Sequence, residues 1–325
     1  MNTEQLPGKL RPMKLTELDK MLDLMEVAFA DDAAREGRSL RADMAGIQRL
    51  LPVLRVLMKI KPSFADKFYT LAWEVDSRFV AGITLSQQGS DKQRWYIFNV
   101  ATHPDFRGRG LARKLVTAAL DHVRARGGKR VLLDVRADNV AAYNLYASVG
   151  FLHLETSTTL KGTLSHLPDC VWPSDYTVRQ LRDGEWQPAF DLAQRVASEA
   201  TRTVCPITPD QFRDGPVARL MQRVMTRAQK RHAERWLVER AGQPIGLAAS
   251  YAQLTGRNPH HIKVSLDPAA GDIAPALLAQ TINRVVNGTA HACLIDVPGD
   301  SSAINFLKSI GCEAIETTHQ LGLAL

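Results

Sequence analysis

The feature that most constrains this chain is that it repeats itself. LRPMKLTELDKMLDL from Leu10 lines up with VRQLRDGEWQPAFDL from Val178, and WEVDSRFVAGITLS from Trp73 with WLVERAGQPIGLAAS from Trp236. VLLDV from Val131 matches CLIDV from Cys293, and GFLHLETSTTL from Gly150 matches GCEAIETTHQL from Gly311. The order is kept at a spacing of roughly 162 residues, so one fold occurs twice. A chain of 325 residues has room for two domains of about 150 residues each. The expected domains are 1–165 and 172–325. They join near KGTLSHLPDCVWPSDY, where Gly162, Pro168 and Pro173 punctuate the chain.

Within the first copy the pattern predicts a strand, helices and a hairpin. A strand at 94–102, a helix at 110–126, a strand at 131–136, a helix at 139–148 and closing strands follow. Helices interleaved with short strands predict an α/β (α+β) fold. No run of about 18 apolar residues is present, which predicts no membrane-spanning helix. The start, MNTEQLPGKLRPMKL, has no apolar signal core, which predicts a cytoplasmic protein. Cys170, Cys205, Cys293 and Cys312 form no CxxC pair, which predicts neither a disulfide framework nor a metal site. The net charge of +7 favours anionic partners: phosphates, CoA-like cofactors or nucleic acid.

The charge is concentrated at FRGRGLARKL, Phe106 to Leu115. Leu111, Leu115, Ala118, Ala119 and Val123 recur at the helical period, and Gly127 and Gly128 end the helix. The turn Arg107 to Ala112 therefore opens a helix. The first N–H groups there have no helical partner, and the dipole favours an anion. Glycines at 108 and 110 let a ligand approach the backbone, and Arg107, Arg109 and Arg113 supply charge-assisted hydrogen bonds. Together they make a seat for a pyrophosphate. The sequence contains no GxxxxGK[ST] P-loop, and the spacing does not match GxGxxG.

Two motifs then carry a family resemblance. Arg107-Gly108-Arg109-Gly110-Leu111-Ala112 fits Q/R-x-x-G-x-G/A at a strand-to-helix turn. Asn139, Ala142, Leu145, Tyr146, Gly150 and Phe151 fit N-x-x-A-x-x-L-Y-x-x-x-G-F. Residues 8–160 resemble the GNAT superfamily of acyl-CoA N-acyltransferases, in a tandem plan similar to mycothiol synthase. The resemblance implies two tandem domains, each a mixed, splayed sheet flanked by helices, and transfer of an acetyl group from acetyl-CoA to a primary amine. It implies that the amides of Arg109, Gly110, Leu111 and Ala112 hold the pyrophosphate, beside Gly108, with Arg107 and Arg113 adding charge. The main chain of Val100, Ala101 and Thr102 would pair with the pantetheine arm. Asn139, Ala142 and Tyr143 would border CoA. Tyr146 would protonate the leaving thiolate, a contribution of about 10²–10⁴-fold.

The family often places a carboxylate base on the strand before the motif. Here Asn99 stands at that place, suited to holding a water or orienting substrate, which leaves Glu74 and His103 as candidate bases. In the second copy, Gly271, Asp272 and Ile273 stand where Arg107, Gly108 and Arg109 stand. Leu307 stands at Tyr146. That copy is expected to have lost CoA binding and to act as a scaffold or as a wall of the acceptor site. Two basic stretches, 47–64 and 215–236, share Pro-Val-x-Arg and are expected to be helices, serving as acceptor lid, dimer contact or a surface for anionic lipid or RNA. The expected acceptor is a small-molecule or peptide amine, with no metal, in a monomer or homodimer. Nucleic acid is disfavoured because aromatic residues, 6% of the chain, do not cluster among the basic ones. The alternatives are a non-catalytic CoA-binding scaffold and a nucleic-acid-associated module.

Overall fold

The computed structural model describes residues 7–30, 68–88, 92–169, 171–182, 184–213, 231–253, 259–286, 288–299 and 302–325. Cys170, the basic stretch at 47–64 and residues 215–230 of its repeat partner lie outside these residues. The first repeat contains β1 (Lys9–Pro12), α1 (Leu18–Ala28), β2 (Phe68–Val75), β3 (Arg78–Gln87), β4 (Arg94–Thr102), α2 (Leu111–Ala125), β5 (Arg130–Arg136), α3 (Val140–Val149) and β6 (Leu152–Leu164). The second contains β7 (Tyr176–Gln180), α4 (Gln187–Val196), α5 (Glu199–Val204), β8 (Arg231–Arg240), β9 (Gln243–Gln253) and β10 (His260–Leu266). It continues with α6 (Ala274–Val286), β11 (His291–Pro298), α7 (Ser302–Ser309) and β12 (Glu313–Ala324). The mixed α/β architecture and its duplicated element order are those expected from the sequence.

Residues 231–236 depart from the expected helix 215–236. They open β8, whose Arg231 to Arg240 pair with β9 from Gln253 back to Gln243. Tertiary pairing overrides the helical reading because Trp236 and Val238 are held in a sheet-based core.

The contacts divide the described residues into two compact units. The first runs to Asp134 and takes in Ala147–Gly150 and Leu323–Leu325; the second takes Val135–Tyr146 and Phe151–Gly322. In the first, the strand order is β1-β2-β3-β4-β5, with only β4 and β5 parallel. In the second, it is β12-β6-β11-β10-β9-β8-β7, with only β10 and β11 parallel among the registered pairs. β6 comes from the first repeat in sequence, yet it pairs with β11 and β12 inside the second unit.

In the first unit the β2–β3 hairpin turns on Asp76 and Ser77, both at positive φ, +46° and +63°. That is the two-residue geometry matching strand twist. Strand alternation then sorts the faces. Gly82 and its partner Ala101 face α1, where a Cβ on Gly82 would meet Met21. Trp95 lies on the other face, edge-on to His122 of α2, and Tyr69 stacks on His122 with ring centroids 3.5 Å apart. α2 buries Leu111, Leu115, Val116, Ala119, Leu120 and Val123, a stripe at helical spacing. α1 and α2 thus cover opposite faces and fix the β4–α2 turn between them.

Candidate functional site

The turn between β4 and α2 is built as the sequence predicted. Gly108 and Gly110 have φ of +75° and +76°, a region that costs other residues strain, and a Cβ at either would meet no atom within 4 Å. Gly110 caps α2, and the first helical bond runs from Lys114 N–H to Gly110 C=O at 3.1 Å. The amides of Leu111, Ala112 and Arg113 therefore precede the helical ladder and are available to an anion. Arg107, Gly108, Arg109 and Gly110 are all exposed.

The three arginines are tied down by different partners. Arg107 donates from Nη2 to Ala28 C=O at 2.9 Å and from Nε to Thr102 C=O at 3.3 Å, bracing the end of α1 against the end of β4. Arg109 lies over the Phe106 ring, 5.1 Å from its centroid. Arg113 donates to Ser148 Oγ at 2.6 Å. The turn is thus held open by side chains that also carry its charge.

β4 changes direction at Asn99. Phe98 faces Thr84 and Ala101 faces Gly82, so Asn99 and Val100 together oppose Ile83. This is a β-bulge, and Asn99 adopts φ +53° in it; asparagine is among the non-glycine residues that tolerate that region. On the other side, β4 pairs with β5 only from Arg94↔Arg130 to Ile97↔Leu133. Beyond that vertex no β4–β5 pair is registered among the described residues, so Val100, Ala101 and Thr102 edge an opening slot. The family resemblance singled out Asn99 by its place before the motif; the structure gives it a backbone role in the bulge. Tyr96 and Asp134, which the sequence reading did not single out, lie on β4 and β5 beside this vertex, and a hydrogen bond joins them. The available signal was a charged residue inside the apolar run VLLDV.

α3 carries the second motif. Asn139 Oδ1 accepts from Ala142 N–H at 3.1 Å, the bond of a helix N-cap. Tyr143 packs edge-on to His319, with centroids 5.6 Å apart. Tyr146 is 5% exposed and packs against Phe151; burial pushes its phenol up to about 12, so it stays protonated near neutral pH.

Glu74 and His103 are committed elsewhere. Glu74 accepts from Arg11 Nε and Nη2 at 2.8 and 2.7 Å, and Lys20 Nζ is 3.6 Å away. Arg11 also binds Glu17 at 2.7 Å. Arg11 holds the Glu74 and Glu17 carboxyls near 2, far from the range of a base that works at neutral pH. The second unit repeats this clamp. Arg179 binds Glu185 at 2.6 Å and Glu239 at 3.1 Å, and Glu185 also accepts from Arg182 N–H as Glu17 does from Lys14 N–H. His103 Nδ1 accepts from Asp105 N–H at 3.3 Å and caps the short turn Pro104–Phe106. Asp267 caps its counterpart by accepting from Ala269 N–H at 2.9 Å.

The matching turn of the second unit is closed. Ser302 Oγ donates to Gly271 C=O, Tyr176 Oη donates to Asp272 at 3.3 Å, and a Cβ on Gly271 would meet Ser302 Oγ at 3.1 Å. β10 pairs with β9 from His261 to Leu266 without a register shift, so the bulge is missing there too. Among the described residues, no helix is long and apolar enough to cross a membrane, and no group of three or more His, Cys, Asp or Glu converges as a metal would require.

Comparison with known proteins agrees with this geometry. Residues 48–151 match the model of the Acetyltransferase (GNAT) family. The [ribosomal protein bS18]-alanine N-acetyltransferase of Salmonella typhimurium is 37% identical over 86 residues, 26% of this chain and 56% of the relative. The chain thus spans about half the length of the curated relatives it matches. A GCN5-related N-acetyltransferase from Sphaerobacter thermophilus superposes over 98% of this chain and 97% of its own, with a TM-score of 0.61 and 16% identity. A tandem GNAT protein from the clavulanic acid biosynthesis pathway superposes over 97% and 98%, with a TM-score of 0.56 and 13% identity. These two likenesses are of fold, and they extend over both repeats. With its open glycine–arginine turn, bulged β4 and the match over residues 48–151, the chain carries a GNAT-family acetyltransferase domain.

Proposed function

We propose that the protein moves an acetyl group from acetyl-CoA to a primary amine by direct transfer, and that the first repeat, 1–165, does so. The observation that carries this is the left-handed pair Gly108 and Gly110 at the mouth of α2, open on the ligand side and ringed by arginines. The pyrophosphate would take the amides of Arg109 to Ala112, with Gly108 and Arg113 beside them. The pantetheine arm would lie along Val100, Ala101 and Thr102, where β4 leaves β5. Asn139, Ala142 and Tyr143 would border CoA, and Tyr146 would give its proton to the departing thiolate. Asn99 would orient substrate through its place in the bulge. Glu74 is assigned to the fold, because the second repeat keeps the same clamp. The second repeat, 172–325, would serve as scaffold, its turn being filled by Ser302 and made acidic by Asp272.

Acetyl-CoA would serve as a substrate and no metal would be needed. The acceptor would be a small-molecule or peptide amine, and the protein would work in the cytoplasm as a monomer or homodimer. Isothermal titration of acetyl-CoA into the full chain tests the reading. One site per chain, lost in Arg109→Glu, supports it. Two sites would restore the second repeat as a CoA binder, and no binding would end the transferase reading.

A further inference from the structure

The joint between the repeats is tied to α6 by two side-chain amides. α6 buries Leu277, Leu278, Ile282, Val285 and Val286 against the core of the second unit. Its Asn283 holds the joint instead: Oδ1 accepts from Leu167 N–H at 2.8 Å, and Nδ2 donates to Leu167 C=O at 3.0 Å. Gln280, one turn earlier, accepts at Oε1 from Trp172 Nε1–H at 3.1 Å. The Leu167 and Trp172 side chains also pack against that core. A backbone segment without a sheet partner needs such bonds. The joint is therefore a strap with fixed feet at Leu167 and Trp172.

Strap and helix enclose a cavity of about 380 Å³. Ligand cavities span about 300–1,000 Å³, so this one suits a small metabolite. His166, Asp169 and Trp172 line it from the strap, Gln280 and Arg284 from α6. Trp172 is half-buried and offers an indole wall. Gln280 spends its oxygen on Trp172 and keeps its amide N–H₂ as a donor. Asp169 and Arg284 are exposed and carry opposite charges, yet among the described residues no ion pair joins them to each other or to a third group. Arg284 lies over the Trp236 ring, 5.2 Å from its centroid, a contact that steadies the side chain without using its N–H groups.

Opposite charges on the wall of one cavity, unpaired with each other, match a ligand that carries both. A simple anion would leave Asp169 without a partner, and a simple cation would leave Arg284 without one. We propose that this cavity binds a free α-amino acid with a planar side chain. Its carboxylate meets the Arg284 guanidinium and the Gln280 amide, with the His166 N–H as a further donor. Its ammonium group meets Asp169, and its planar side chain lies against the Trp172 indole. The site belongs to the joint, which occurs once in the chain, and not to the β–turn–helix unit that is repeated. It stands apart from the transferase reading.

The test is isothermal titration of the full chain without acetyl-CoA. L-Phenylalanine and L-tryptophan should bind at one site per chain, and L-alanine roughly tenfold more weakly for want of a ring. N-Acetyl-L-phenylalanine lacks the ammonium group and L-phenylalaninamide lacks the carboxylate; each should bind about tenfold more weakly than L-phenylalanine. Asp169→Asn should weaken L-phenylalanine by about the same factor and leave N-acetyl-L-phenylalanine unchanged. Arg284→Gln should weaken L-phenylalanine and leave L-phenylalaninamide unchanged. A misfolded variant cannot produce that crossed pattern. Trp172→Leu should bring L-phenylalanine down to the affinity of L-alanine. The proposal is overturned by no binding of either aromatic amino acid at about 10 mM, or by equal affinity for L-phenylalanine and its two analogues. It is equally overturned by a site that survives all three variants, which would place the amino acid elsewhere. None of these outcomes bears on acetyl-CoA binding at the glycine turn.

Discussion

The two copies of the β–turn–helix unit differ where a ligand would touch them and agree where the fold needs support. In the first, the turn has two left-handed glycines, three arginines and open space above the backbone. In the second, Ser302 reaches into the turn and Asp272 replaces a glycine. The arginine–glutamate clamp recurs in both, Arg11 with Glu17 and Glu74, Arg179 with Glu185 and Glu239. The difference separates two kinds of polar residue that look alike in sequence. The clamp that survives in a copy without the open turn supports the sheet; the glycines and arginines that disappear with the turn are those the proposed function assigns to a ligand.

The sharpest way to break this comparison is to close the open turn. Gly110→Val forces a β-branched side chain into φ near +76°, where even a simple Cβ costs about 1–2 kcal/mol, and it puts bulk where a pyrophosphate would approach. Acetyl-CoA binding by titration should fall below detection, while far-ultraviolet circular dichroism is kept. A retained site would place CoA somewhere else.

Next in size is Tyr146→Phe. With the phenol gone, kcat should fall by about 10²–10⁴-fold and acetyl-CoA affinity should hardly move. Unchanged kcat would make Tyr146 a core aromatic and nothing more.

A smaller effect is expected at Arg109. Arg109→Ala removes one charge beside the turn and should weaken acetyl-CoA binding several-fold, less at high salt because the contact is exposed. Arg284, in the last turn of α6 and 5.2 Å from the Trp236 ring centroid, is the control: Arg284→Ala should leave that affinity unchanged in the same titration.

The smallest effect concerns the clamps. Glu74→Gln should leave kcat within about twofold, whereas a catalytic base would cost a hundredfold or more. The acid side gives the matching stability test. Glu17 and Glu74 have folded-state pKa values near 2, below the ordinary 4.5. The stability they contribute is present above pH 4.5 and lost as pH falls from 4.5 toward 2. Arg11→Ala should therefore move the acid-unfolding midpoint, followed by circular dichroism, to higher pH. Arg179→Ala should shift it in the same direction, because Arg179 also lowers Glu185. A shift in only one of them would show that the clamps are not equivalent.

Much of the fold was legible because period and punctuation are local. The α2 stripe from Leu111 to Val123 and the strand at 94–102 follow from spacing alone, and the glycine turn follows from residue type. Residues 231–236 were misread because the alternation of β8 only becomes decisive once β9 lies beside it. Glu74 looked like a free carboxylate because its partner Arg11 is 63 residues away in sequence. The Tyr96–Asp134 hydrogen bond went unnoticed because it depends on which residues of β4 and β5 stand side by side, which no single strand encodes.

By itself, then, the sequence determined the duplication, the alternation of strands and helices, and a glycine–arginine turn opening a helix at Arg107–Ala112. These are properties of neighbouring residues, set by backbone sterics and hydrophobic spacing. Tertiary structure decided which glutamate is clamped, that Asn99 sits in a left-handed bulge, that the second turn is filled by Ser302, and that Tyr96 and Asp134 meet at the vertex of the slot. Each of those depends on which distant strand or helix arrives alongside, and only the packed chain brings them there.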